Sequence, residues 1–166
     1  MSCIATFYIL SADKREELAH AKLNEPKIRY ERRWIFFRTR VSSGGRRVDE
    51  YLEEAADQRL EFPFSGWAIL NYLFTLKGDN PVVAAALQQA EFDDDFHIFT
   101  AAQSKAVQEI LAGHPPTASE LESFVRETRD SDVSDCVQVL SDTHHILIRW
   151  FGMVRENQLG ILHLSY

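Results

Sequence analysis

The chain has 166 residues, 45% apolar and 26% charged, with a formal net charge of −7 and a pI near 5.3. That composition excludes low-hydrophobicity disorder, and the length suits one domain over residues 1–166 that buries about 70% of its unfolded surface and needs no disulfide or metal staple. No apolar run reaches the roughly 18 residues a bilayer span needs and no signal-peptide pattern opens the chain, so a cytoplasmic protein without membrane contact is expected.

Cys3 to Leu10 is a continuous apolar, β-branched and aromatic run, which predicts a strand buried on both faces. Ser11 is placed to cap a helix running to about Leu23 before Pro26, with Asp13 favouring its positive end. The charge then changes sharply. Residues Lys27 to Arg47 hold eight Lys or Arg against the single acid Glu31, a local balance of +7, whereas the residues from Val48 onward carry −13. Tyr30, Trp34, Phe36 and Phe37 lie among those arginines and favour strands over helix.

Val48, Leu52, Ala55, Ala56 and Leu60 have helical spacing, ended by Pro63. Ser65 is placed to cap Trp67 to Leu76, a segment apolar around most of its circumference and therefore expected in the core. Asn80-Pro81 opens a short helix, and Phe96 to Phe99 is a strand. Thr100 with Gln103, and again Thr117 with Glu120, has the spacing of a capping box, so helices are predicted after each. Val133, Cys136, Val137, Leu140, His144, Leu147, Phe151 and Val154 follow steps of three and four, one apolar stripe on a long helix. A turn at 157–160 and a terminal strand close the pattern. The expected architecture is α/β (α+β): a compact domain with a small mixed sheet of about three to five strands, surrounded by helices, its long C-terminal helix followed by a terminal strand. Trp67, Leu70, Leu73, Leu140, Leu147 and Phe151 are expected to share one core.

The run Trp67-Ala68-Ile69-Leu70-Asn71-Tyr72-Leu73-Phe74-Thr75 resembles the Trp, Leu, aromatic, Leu and Thr helix of the YfbM-like family of uncharacterised bacterial proteins. The strand entering a helix near Ser11, the strand entering a helix at Thr100 and the final helix turning into a strand agree in order. Asn71 stands where many relatives carry His, and Lys27 to Arg47 is a local elaboration. The resemblance implies a compact α/β fold with a small sheet and implies no established activity.

Catalytic motifs are absent from the sequence. The adjacent His144 and His145 point about 100° apart on a helix, which does not match the i, i+4 pairing of helical metal sites. Cys3 and Cys136 sit in apolar patterns and read as buried thiols. No catalytic residue, metal ligand or cofactor is assigned. Among the arginines, Arg32, Arg33, Arg38 and Arg40 with Trp34 form the candidate binding residues, since guanidinium groups and indoles dominate interface energies. The expected function is a non-catalytic protein-interaction module, of a bacterial immunity or regulatory kind, with a protein partner. The alternatives are RNA or polyanion binding through residues 27–47, and a hydrolase built on the loop from Asp93 to His97.

Overall fold

The computed structural model describes residues 3–23, 28–34, 37–42, 47–77, 81, 84, 91–92, 96–128 and 133–165; the side chains of residues 28–34, 37–42, 91, 92, 128 and 133 lie outside that description. Strand β1 (Ile4–Ser11) leads through a 3₁₀ turn (Ala12–Lys14) into helix α1 (Arg15–Leu23). Strands β2 (Ile28–Trp34) and β3 (Phe37–Ser42) form a hairpin, followed by α2 (Val48–Ala55) and β4 (Gln58–Glu61). An α-helical turn, α3 (Trp67–Ile69), runs on as π-helix over Leu70–Leu76. Beyond it come β5 (Glu91–Phe92), β6 (Phe96–Thr100), α4 (Ala101–Gly113), α5 (Ala118–Thr128), α6 (Val133–Met153) and β7 (Gln158–Ser165).

Among the described residues five strands make one sheet in the order β4-β1-β7-β6-β5, and β2-β3 form a second, two-stranded sheet. Every pairing is antiparallel, so the small mixed sheet expected is more narrowly an antiparallel one. The α/β domain with a long helix before a terminal strand is as expected. At the sheet's centre β1 pairs with β7 along its whole length, from Ile4 with Ser165 to Ser11 with Gln158.

Alternation along these two strands divides the apolar residues between two layers, because successive side chains point to opposite faces. Ala5, Phe7, Ile9, Leu162 and Leu164 pack with α3 to α6, while Tyr8, Leu10, Leu159 and Ile161 pack with Leu18 of α1 and Val48 and Leu52 of α2. Phe7 is at the centre of the larger layer, stacked on Trp150 at 5.5 Å between ring centroids and edge-on to Phe151 at 5.4 Å.

Several expectations hold in detail. Thr100 and Gln103 exchange both bonds of a capping box, and Thr117 and Glu120 make the same reciprocal pair. Cys3 is buried as expected, whereas Cys136, expected buried, is only half-buried. Others are corrected. The helix predicted to reach Leu60 stops at Ala55, because Ala56 turns extended and Gln58–Glu61 pairs with the edge of β1. That short edge strand carries Arg59, which bridges Glu53 and Glu61, and such charges discourage pairing with another chain. Ser11 precedes the first helical turn but makes no side-chain cap bond; its hydroxyl is bonded to the Asp13 carboxylate, which holds that acid below its ordinary range. At α3 the cap is Gly66, not Ser65. A Cβ at Gly66 would lie 2.6 Å from the Cys3 sulfur, and the Gly66 amide donates to the Cys3 carbonyl at 2.7 Å. The strand β7 begins at Gln158, earlier than expected, and Asn157 makes the preceding turn at φ 63°, a left-handed conformation that Asn tolerates.

Candidate functional site

Leu73, Leu140, Leu147 and Phe151 share the larger core as expected, with Leu70 half-buried against it. Trp67 does not: it is 43% exposed. Its helix is apolar on more than one face, and only the face carrying Ala68, Ile69, Tyr72 and Leu73 is buried. The remaining apolar surface borders a cleft of about 310 Å³.

Three elements build that cleft. Phe64, Trp67 and Ala68 form one wall, Phe124 and Val125 of α5 a second, and Cys136, Val139 and Leu140 of α6 the floor. The polar members are Ser65, Asn71 and Asp135. Asp135 sits in the first turn of α6, where a carboxylate is favoured by the helix dipole, and it is exposed. Glu120, Glu122 and Glu127 are exposed on α5, with Arg126 bridging Glu122 at 3.5 Å. The cleft is thus apolar within and bordered by helices that carry acids.

A buried polar pair joins two of the elements that line the cleft. The Tyr72 hydroxyl, on the π-helical segment, meets Nδ1 of His144 on α6 at 2.5 Å. Burial pushes the His144 pKa down to about 4, aided by His145 and Lys77 nearby, and burial raises that of Tyr72, aided by Glu120. Both groups are therefore neutral, and the bond joins a phenol to an uncharged imidazole. A phenol this acid-weak and an imidazole this base-weak are poorly suited to proton transfer near neutral pH. The pair instead ties the π-helix to α6. The wide turn is explicit where the Lys77 amide donates to the Tyr72 carbonyl, an i→i+5 bond of 2.9 Å; such turns recur at functional sites.

The other sequence candidates are placed unevenly. Arg32, Arg33, Trp34, Arg38 and Arg40 all fall on the β2–β3 hairpin, as the strand expectation required, and the side chains of these five lie outside the described residues. Backbone register sets Arg32 opposite Arg38, Tyr30 opposite Arg40 and, past an irregularity, Trp34 opposite Phe37. Asp93, Asp94 and Asp95 also lie outside the described residues. His97 is packed against Phe74 at 4.9 Å between ring centroids, and burial lowers its pKa to about 4. Among the described residues no group of three His, Cys, Asp or Glu is placed to hold a metal ion, and no helix is long and apolar enough to cross a membrane.

The sequence reading missed the cleft. Its one signal was an excess: Trp67 to Leu76 has more apolar circumference than a single packed face consumes. Comparisons with family models, curated proteins and solved structures returned no match.

Proposed function

We propose that the chain is a non-catalytic protein-interaction module that receives an apolar side chain of a partner protein in the cleft between Trp67, Phe124 and Val139. One observation carries the reading: a half-exposed tryptophan stands on the wall of an apolar cleft otherwise lined by helices. Exposed aromatic groups beside concave apolar surface are where interface energy concentrates. The neutral Tyr72–His144 pair supports a fixed receptor surface over a reacting one. A bacterial immunity or regulatory role, which suits a small acidic domain, belongs to the same proposal.

Selection of binding peptides from a displayed library on the intact protein tests it. Selected binders should lose about tenfold or more in affinity on Trp67→Ala and on Val139→Glu, a change of about 1.4 kcal/mol or more. They should be indifferent to Leu23→Ala, which alters a residue exposed outside the cleft. Binders insensitive to both cleft substitutions would sink the proposal.

A further inference from the structure

Three polar side chains, Ser65, Asn71 and Asp135, interrupt the apolar lining of the cleft, and among the described residues none of the three makes a hydrogen bond or ion pair. Asn71 is half-buried, and its carboxamide offers donors and an acceptor side by side, the complement of a main-chain amide. Acids frame the apolar members. Asp135, Val139 and Asp142 stand at i, i+4 and i+7 of α6, so both carboxylates share a side of the helix with Val139. Glu120, Phe124 and Glu127 repeat that spacing on α5. The cations of these elements do not offset them. Arg126 is taken up by Glu122 at 3.5 Å, and Lys77, beyond the π-helix, donates to the His114 carbonyl at 3.0 Å. Arg149 lies about 20 Å further along α6 than Asp135, at 1.5 Å of rise per residue.

We propose that the partner segment received by the cleft is a basic peptide: one bulky apolar side chain seats between Trp67, Phe124 and Val139, and a Lys or Arg within two residues of it pairs with Asp135. This rests on the cleft being a docking site and names the chemistry of what docks there. A volume of about 310 Å³ suits one large side chain with its flanks. Apolar volume alone would suit a fatty acyl chain equally well, but the Asn71 carboxamide then loses water and gains no partner, whereas a peptide group bonds to it. The same reasoning applies to Asp135. An uncharged partner strips water from its carboxylate without replacing the lost contacts, and an acidic partner adds repulsion from the neighbouring acids. A cationic flank turns that penalty into attraction and steers the encounter.

The probes are peptides selected from a displayed library on the intact protein, then synthesised with a dye and titrated by fluorescence anisotropy. Selected sequences should carry Lys or Arg within two residues of an aromatic or leucine anchor well above the library frequency. Their affinity should fall as salt rises from about 50 to about 300 mM. Asp135→Lys should weaken them about fivefold or more, and exchanging the peptide's basic residue for Glu should restore binding to that variant while weakening binding to the native chain. Asn71→Leu, which keeps the volume and removes both polar atoms, should cost about threefold or more. Should Asp135→Lys fail to fold by circular dichroism, Asp135→Asn takes its place, with a shallower salt dependence as the readout. Peptides that need Trp67 and Val139 yet show no basic enrichment, or that ignore the change at Asp135, would overturn the cationic pairing while the cleft remains a docking site. Peptides indifferent to Trp67→Ala and Val139→Glu, or a selection that yields no binder, would remove the docking site and the pairing together.

Discussion

The two halves of α6 belong to one helix and one apolar stripe, yet they are in different environments. From Leu147 to Phe151 the stripe is sealed: Leu147, Trp150 and Phe151 are buried against Phe7, Phe62 and Phe99. From Asp135 to Leu140 the same stripe faces the cleft, with Cys136 and Val139 only half-buried. The stripe of one helix can therefore serve as core at one end and as a binding surface at the other, depending on what the rest of the fold lays over it. His144, 4% exposed, marks the junction.

The sharpest way to break this contrast is at the sealed end. Leu147→Ala should cost about 2 to 5 kcal/mol in denaturant melts, since the surrounding rings cannot collapse into the space. A loss under about 0.5 kcal/mol would mean that the sealed half is not sealed.

At the junction the expected effect is smaller and depends on pH. The folded chain holds His144 neutral down to about pH 4, whereas an unfolded imidazole takes a proton near 6.5. The unfolded state therefore binds more protons between these values, so the contribution is complete above about pH 6.5 and is lost as pH falls toward 4, by about 3 kcal/mol at most. His97, lowered in the same direction, adds to the slope. Chemical denaturation at successive pH values should show this decline in the native protein and a shallower one in His144→Gln. Equal slopes in the two would remove His144 from the account.

The smallest stability effect is expected at the open end. Trp67→Ala should change thermal stability little, within about 1 kcal/mol, because much of the indole is already in water. A loss of several kcal/mol would show the cleft to be part of the core.

How much of this was legible in the sequence depended on how local its cause was. The capping pairs Thr100–Gln103 and Thr117–Glu120 span three residues, so both helix starts could be read directly. The apolar run of β1 announced a doubly buried strand, and the stripe from Val133 announced α6. Strand β4 escaped because four residues with Leu60 alone half-buried have no period to detect; its pairing with β1 defines it. The cleft escaped for a related reason, since its walls come from segments around 64–71, 124–125 and 135–140 that meet only in the fold. Periodicity says which side of a helix is apolar. It does not say whether a neighbour covers that side.

The pairing of β1 with β7 bears on the timing of folding. These neighbours at the middle of the sheet, Ile4 beside Ser165 at one end, are separated by nearly the whole described chain. Closing a loop of roughly 150 residues costs about 4 kcal/mol of entropy beyond a constant, and nothing in the sheet repays it before β7 exists. On the ribosome β1 is made well before β7. Until β7 leaves the exit tunnel, one edge of β1 lacks its native neighbour. The domain is thus committed to completing its fold after synthesis of the strand that closes it.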